Sequence, residues 1–259
     1  DPAAAIEHGL GLAEEGADML DVGAESTRPG AHPVSPEQQI ARVVPVIEAL
    51  VKRTPVAISI DTSDPAVMRA AVAAGAGFIN DVRALRSEGA LEAAAELQVP
   101  VCLMHMQGEP GSMQDNPQYD DVVGEVQRFL SDRVFACQLA GIDKARIVVD
   151  PGFGFGKSLQ HNLELLRNVA RFVEIAPVMV GLSRKSMFRE LTGREDPALR
   201  TSASTAGALL AAQGGACLIR THDVSAVRDA LRVLAAVGSL SRAGASARKV
   251  SSASPWDDD

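Results

Sequence analysis

Polar side chains follow several apolar segments of this sequence, and they fall into two chemical kinds. The first kind comprises Asp61, Asn80 and Asp150, which between them can accept and donate hydrogen bonds in a fixed geometry. Such a set matches the amino and lactam edges of a flat heterocycle. Because a carboxylate is costly to bury without a partner, several of them together indicate a small-molecule pocket rather than chance pairing at the surface.

The second kind is cationic or can become so, and it comprises Arg28, Lys185, Arg220 and His222. Arginine grips phosphate oxygens through two parallel hydrogen bonds, whereas lysine acts as a point charge. Arg28 lies in the segment "ESTRPG", whose hydroxyl and backbone groups add further donors. The chain therefore offers one set of side chains for a polar ring and a second set for phosphate.

The segment "DPGFGFGKS" (150–158) looks like a phosphate-binding loop but fits neither of the two common motifs. A nucleotide-triphosphate loop needs four residues between its glycines, and Gly152 and Gly156 are separated by three. In the dinucleotide motif G-x-G-x-x-G, Lys157 would stand where the third glycine belongs. The role of this segment must therefore be found from the rest of the chain.

These side chains must be brought together by the elements that carry them. Seven short, nearly continuous apolar segments alternate with amphipathic helical ones, a pattern typical of parallel strands buried on both faces. The predicted strands are 17–23, 56–61, 77–81, 99–106, 146–150, 178–183 and 217–223. Seven strand–helix units in succession favour an α/β fold of the (β/α)8 TIM-barrel type over the alternative, an open doubly wound sheet. A helix precedes the first of these strands, so we expect a barrel that lacks its first strand in this chain.

The bulk properties fit one large domain. A length of 259 residues with 46% hydrophobic residues suits a single barrel, which typically takes about 250 residues. The net charge of −8 argues against a partner that is nucleic acid or an anionic membrane, and no apolar run approaches the roughly 18 residues of a membrane span. Cys102 and Cys217 fall in predicted buried strands, so we expect reduced thiols and a cytoplasmic protein. Residues 1–238 are predicted to form the barrel, and the Ser/Ala/Arg-rich segment 239–259 a flexible tail.

Seven segments of the chain resemble, in the same order, those of the dihydropteroate synthase family of folate biosynthesis. They are "DVGAESTRPGA", "SIDTS", "FINDVRAL", "CLMHMQG", "DPGFGFGKSLQHN", "GLSRKSM" and "IRTHDV". The resemblance runs from about residue 3 to about residue 238, and "ESTRPG", "DPGFGFGK" and "SRKS" together are highly specific to that family. It implies an enzyme that condenses 6-hydroxymethyl-7,8-dihydropterin diphosphate with p-aminobenzoate to give 7,8-dihydropteroate and diphosphate.

The resemblance also implies roles for side chains at the carboxyl-terminal mouth of the barrel, where such folds hold their active sites. The pterin is expected to contact Asp61, Asn80, Asp150 and Lys185. The diphosphate is expected to contact Thr27, Arg28, Arg220, Thr221 and His222. The p-aminobenzoate pocket is expected to comprise Thr27, Pro29, Phe155, Lys185 and Ser186. In this interpretation the glycines of "DPGFGFGKS" let the backbone pass close to aromatic ligands, and the loop does not hold phosphate.

The implied cofactor is Mg2+, because a divalent ion strengthens a clamp on diphosphate. The family carries an Asn metal ligand in a first-strand loop that reads roughly Asn-Val-Thr-Pro-Asp-Ser-Phe. Neither that strand nor that loop occurs in this sequence, so no residue is assigned to a metal. The resemblance further implies inhibition by sulfonamides in competition with p-aminobenzoate, and a homodimer.

Two other functions compete with this interpretation. One is a folate-dependent methyltransferase that feeds a corrinoid protein, which shares the Asp and Asn contacts to a pterin but is not expected to carry "STRPG" or "SRKS". The other is a degenerate relative that keeps the fold and acts as a non-enzymatic partner. The set of contact residues from Thr27 to His222 speaks against the second alternative, and the absent first strand speaks for it.

Overall fold

A computed structural model describes residues 1–25, 34–108, 113 and 117–249, with side chains up to residue 238. One or two helices follow each strand in this range. In chain order the elements are α1 (Pro2–Glu14), β1 (Met19–Gly23), α2 (Pro36–Arg53), β2 (Ala57–Asp61), α3 (Pro65–Ala73), β3 (Phe78–Asp81), α4 (Ala90–Leu97), β4 (Val101–Met104), α5 (Val122–Leu139), β5 (Ile147–Asp150), α6 (Leu159–Arg167), α7 (Val169–Val173), β6 (Met179–Gly181), α8 (Ser186–Thr192), α9 (Thr201–Gln213), β7 (Leu218–Arg220) and α10 (Val224–Lys249). Each of the seven strands lies inside the segment predicted for it.

The strands pair in parallel and in the order of the chain. Main-chain ladders join β1 through β5 in succession and β6 to β7. A single bridge between Val149 and Val178 connects the two groups. The parallel register places Asp61 level with Asn80, and it places Met104 level with Asp150. The polar residues that end the strands therefore meet at one edge of the sheet.

The sheet is rolled into a barrel with an open seam between β7 and β1. At about 4.8 Å per strand, the two edges of a flat seven-stranded sheet would lie about 30 Å apart. Instead, Nε of Arg220 in β7 donates a hydrogen bond of 2.7 Å to Oδ2 of Asp21 in β1. The ladders within the described residues do not include a pairing of β7 with β1. The predicted barrel is confirmed, and its seam lies where the first strand was expected.

The barrel interior is packed below the mouth. Side chains from six strands contact one another there: Met19, Phe78, Cys102, Val148, Met179 and Leu218. A larger core fills the space between the strands and the helices, where Ile60, Ile79 and Leu103 are fully buried. This two-layer arrangement is typical of (β/α) barrels, whose interiors are filled rather than hollow.

Helix starts follow the local signals in the sequence. Oγ of Ser35 accepts a hydrogen bond from the main-chain N of Gln38, and Oδ1 of Asp64 accepts one of 2.8 Å from the main-chain N of Ala66. Each of these residues caps a helix whose next residue is a proline. Such caps satisfy amide groups that have no partner inside the helix, so they fix where α2 and α3 begin below the mouth.

The environment of the thiols differs in part from expectation. All three cysteines are free, and Cys102 is buried as predicted. Cys217 is exposed, so the prediction of a buried position for it is wrong. It comes directly before β7 on the side of the open seam, where the described residues provide no neighbouring strand to cover it.

The last helix extends past the predicted end of the barrel. The backbone of α10 continues through residues 239–249, and residues 250–259 lie outside the described range. The division into a barrel and a flexible tail stays a prediction. Across the described residues, no helix combines the length and the apolar character that crossing a membrane requires.

Candidate active site

The centre of the mouth is organised by Asp21, which the sequence analysis did not assign to the site. Its Oδ1 accepts a hydrogen bond of 2.7 Å from Ser59, and its Oδ2 accepts one of 3.0 Å from Nδ2 of Asn80. The same Oδ2 lies 2.7 Å from Nε of Arg220. Asp21 therefore connects a residue predicted to bind the pterin with one predicted to bind the diphosphate.

Arg220 bridges the seam to two carboxylates. Besides its contact with Asp21, its Nη2 donates a hydrogen bond of 3.2 Å to Oδ2 of Asp61. The Arg220 side chain is 46% exposed, whereas those of Asp21 and Asp61 are 17% and 15% exposed. Burial and the nearby charge of Asp21 raise the pKa of Asp61, and Arg220 opposes that rise. The guanidinium thus lies between solvent and a pair of carboxylates, where an incoming anion can reach it.

Lys185 and Asp150 form the opposite wall of the mouth. Nζ of Lys185 donates a hydrogen bond to the carbonyl oxygen of Phe153 and lies 4.6 Å from the centre of the Phe155 ring. Burial lowers the pKa of Lys185 to about 8, against the influence of Asp150. Burial raises the pKa of Asp150, and the charge of Lys185 is the largest influence that opposes it. The two groups are therefore electrostatic partners beside an aromatic ring.

The loop after β5 needs its glycines for its own backbone packing. Gly152, Gly154 and Gly156 have φ angles of 71°, 78° and 60°, in the left-handed region. A Cβ atom on Gly152 would collide with the carbonyl oxygen of His105, and one on Gly156 with that of Gln107. These glycines let the loop pack against the backbone that follows β4. The prediction that these glycines let the backbone pass close to aromatic ligands stays a prediction.

The loops after β6 and β7 are held together by an ion pair that the sequence analysis missed. Nε and Nη2 of Arg184 donate hydrogen bonds of 3.1 and 2.6 Å to the two carboxylate oxygens of Asp223. Arg184 adopts a left-handed φ of 60°, and its main-chain N donates to Oγ of Ser204. Beside the pair, Oγ of Ser183 lies 3.0 Å from Nδ1 of His222. The pair fixes the neighbours Lys185 and His222 relative to each other.

A cavity of about 570 Å³ opens at the mouth and continues along the seam. Its lining includes eight polar groups of the mouth: Asp21, Ser59, Asn80, Ser183, Lys185, Arg220, Thr221 and His222. Lower down, the lining is largely apolar and reaches Gly16 and Arg228. The volume falls in the range of pockets that bury small organic ligands.

The structure brings most of the predicted site residues to this mouth. Asp61 accepts a hydrogen bond from Arg220 there. Asp150 interacts electrostatically with Lys185, and the Phe155 ring lies 4.6 Å from Nζ of Lys185. Ser186 is exposed and begins α8. Thr27, Arg28 and Pro29 fall outside the described residues. The structure thus groups the predicted contacts in space, while the role of each stays a prediction.

Comparison with known proteins agrees with this arrangement. A family model described as pterin binding enzyme matches residues 1–222. The dihydropteroate synthase of Escherichia coli K12 is 50% identical over 233 residues, which cover 90% of this chain and 82% of that protein.

Solved structures give the same assignment. The dihydropteroate synthase of Xanthomonas albilineans with 4-aminobenzoic acid is 59% identical, with a TM-score of 0.88 over 92% of this chain and 85% of that one. The Yersinia pestis dihydropteroate synthase in complex with a sulfonamide drug is 45% identical, with a TM-score of 0.90 over 92% of this chain and 87% of that one. The chain therefore belongs to the pterin-binding enzyme family, and within it to the dihydropteroate synthases.

Proposed function

We propose that this chain joins 6-hydroxymethyl-7,8-dihydropterin diphosphate to p-aminobenzoate, with the side chains of the mouth divided between the two substrates. The observation that carries the proposal is the convergence of Asp21, Asn80, Lys185 and Arg220 on one cavity. Groups for a polar ring and groups for an anion thus face a single space. The polar groups lie at the mouth end of the cavity, where a pterin ring and its diphosphate would bind.

The ring-binding groups are Asp61, Asn80, Asp150 and Lys185, as the resemblance implies. Carboxylates accept hydrogen bonds from the amino and lactam N–H groups of a pterin, and an amide can do either. Asn80 already donates through Nδ2 to Asp21, and its side-chain oxygen can accept a hydrogen bond from an N–H group of the pterin. The half-buried setting of Asp61 strengthens such bonds, because there is less water to compete for them.

The diphosphate groups are Arg220, Thr221 and His222, together with Thr27 and Arg28 of the segment outside the described residues. Arg220 is held by two carboxylates in this structure, yet nearly half of its side chain is exposed. A guanidinium can bind two phosphate oxygens at once, so a diphosphate can replace the carboxylates as the partner of Arg220. As the leaving group gains negative charge, these cations stabilise it more than they stabilise the bound substrate.

The p-aminobenzoate pocket is assigned to Phe155, Lys185 and Ser186, with Thr27 and Pro29 outside the described residues. The amine nitrogen of p-aminobenzoate forms a bond to the exocyclic methylene carbon of the pterin. The bond from that carbon to the diphosphate oxygen breaks, its electron pair leaves with the diphosphate, and the nitrogen loses one proton. The neutral aniline needs positioning more than deprotonation, which fits the absence of an assigned catalytic base.

Mg2+ is proposed to bind together with the diphosphate. Within the described residues, no three His, Cys, Asp or Glu side chains lie close enough together to hold a metal ion. The protein groups described here therefore do not form a metal site of their own. No step of the reaction above is assigned to the ion.

Three further features of the proposal concern partners and location. Sulfonamides are proposed to compete with p-aminobenzoate for the pocket beside Phe155. A homodimer is proposed because large apolar side chains are exposed on α8, α9 and α10 and on the segment between α8 and α9: Leu191, Leu199, Leu210, Val233 and Val237. A cytoplasmic location is proposed because all three cysteines are free thiols.

The proposal is tested by a coupled assay for diphosphate release with both substrates. Release should require p-aminobenzoate, and 7,8-dihydropteroate should form in equal amount. Binding of a sulfonamide in the presence of the pterin and diphosphate separates this function from a corrinoid-linked methyltransferase. Pterin binding without turnover would instead identify a degenerate relative.

A further inference from the structure

Lys157 is a buried lysine for which the reaction described above has no use. It is the residue that gives "DPGFGFGKS" the look of a phosphate loop, yet only 3% of its surface is exposed. It does not line the cavity at the mouth. Lysine is among the residues least often buried, because removing an ammonium group from water is costly. Its burial here calls for a physical reason.

The side-chain nitrogen of Lys157 is surrounded by acceptors from two loops. Burial lowers the pKa of Lys157, and the charge of Asp150 opposes that lowering. Its Nζ lies 3.0 Å from Nδ1 of His105 and 3.5 Å from the carbonyl oxygen of that residue, in the loop after β4. It also donates a hydrogen bond of 3.0 Å to the carbonyl oxygen of Phe155, in the loop after β5. Lys157 therefore ties the two loops together.

The histidine side of this contact is neutral and firmly packed. Burial and the charge of Lys157 lower the pKa of His105 to about 2, so its imidazole accepts at Nδ1. The His105 ring packs edge-on against Phe129, with 4.9 Å between ring centres. His105 is thus a fixed anchor, and the loop after β5 is the element that Lys157 restrains.

A second side chain fixes the same loop. Oδ1 of Asn162 accepts a hydrogen bond of 2.7 Å from the main-chain N of Gly154, and its Nδ2 donates one of 2.7 Å to the carbonyl oxygen of Ser158. Side chains therefore hold the loop by its backbone just before and just after Phe155. The Phe155 ring packs against a small methionine-rich cluster and lies 4.6 Å from Nζ of Lys185.

We infer that Lys157 is a positioning residue that sets the backbone of Phe155, and through it the aromatic side of the active site where p-aminobenzoate and sulfonamides bind. Lys157 touches neither substrate in this arrangement. The inference rests on the proposed role of Phe155. It gives the Gly-Lys-Ser sequence a purpose other than phosphate binding.

The test uses Lys157→Met in the full chain, because methionine keeps the length of the side chain and loses the ammonium. KM for p-aminobenzoate should rise about tenfold, equivalent to ~1.4 kcal/mol. The inhibition constant of a sulfonamide should rise by the same factor. KM for the pterin diphosphate should rise by a smaller factor, because Lys157 acts on the pterin side only through its charge on Asp150. Lys144→Met, at an exposed lysine, is the matched control and should behave as the wild type.

A double-mutant cycle with Phe155→Ala separates the inference from the proposed function. If Lys157 acts through Phe155, the two changes in KM for p-aminobenzoate should be strongly non-additive. Additive effects, or equal losses for both substrates, would overturn the inference alone. An unchanged KM in Phe155→Ala would overturn the assignment of the pocket and the inference with it.

A second variant keeps the test available should Lys157→Met fail to fold. His105→Phe retains an aromatic ring of similar size but removes the Nδ1 acceptor, which loosens the same restraint. It should shift the sulfonamide inhibition constant in the same direction by a smaller factor. Unaltered sulfonamide inhibition in a folded His105→Phe protein counts against the inference.

Discussion

Replacing Lys185 with methionine tests the electrostatics of the mouth. In the proposed function, Lys185 donates a charge-assisted hydrogen bond to the pterin, and such a bond contributes about 1.5–3 kcal/mol. We therefore expect a loss of about 2–3 kcal/mol in transition-state stabilisation. That corresponds to a fall in kcat/KM of about 100-fold.

The pH dependence makes the same variant a sharper test. Lys185 is the largest influence that lowers the raised pKa of Asp150, so its removal lets that pKa rise further. A carboxyl group with a raised pKa gains its charge only as the pH increases. Pterin binding to Lys185→Met should therefore strengthen as the pH rises, over a range higher than the one in which Asp150 gains its charge in the wild type. In the wild type it should weaken above about pH 8, because Lys185 loses its charge there.

The measurements are a pterin-binding titration and steady-state kinetics at several pH values. Lys185→Arg is the matched control: it keeps a positive charge throughout this range and should move the alkaline loss to higher pH. Circular dichroism and thermal unfolding establish that each variant is folded. Parallel pH profiles for the wild type and Lys185→Met, or a kcat/KM within threefold of the wild type, would refute the reasoning.

Three other predictions test the supports of the site. Gly152→Ala should lower the free energy of unfolding by more than Gly141→Ala does. Both positions have positive φ, but only a Cβ at position 152 would also collide with the His105 carbonyl oxygen. Equal losses in thermal melts would contradict this. Asp223→Asn should weaken the contact with Arg184 and raise KM for the pterin diphosphate by about tenfold, which is ~1.4 kcal/mol. The melting temperature should change little. A large loss of stability without an effect on KM would show that the ion pair has only a structural role. Chelation with EDTA should reduce diphosphate release and added Mg2+ should restore it; full activity in EDTA would remove the metal from the proposal.

The strands and the helix starts could be predicted from the sequence because their causes are local. A parallel strand buried on both faces requires a short apolar run, and such runs stand at all seven strand positions. A cap such as Ser35 or Asp64 needs only the residues that follow it within one turn. The grouping of Asp61, Asn80 and Asp150 followed from the rule that strand ends of a parallel barrel meet at one mouth.

The contacts that shape the site were decided by the tertiary structure, because they join residues distant in the chain. Asp21 and Arg220 are separated by 199 positions, and only the curvature of the barrel brings them together. The pairing of Lys157 with His105 depends on two loops approaching so closely that Gly152 must be a glycine. The exposure of Cys217 was likewise decided by the tertiary structure. Its apolar neighbours in the sequence predict burial, but its exposure depends on whether another strand packs beside β7 at the seam. Local patterns specify which elements form, whereas partners across the barrel depend on how those elements close.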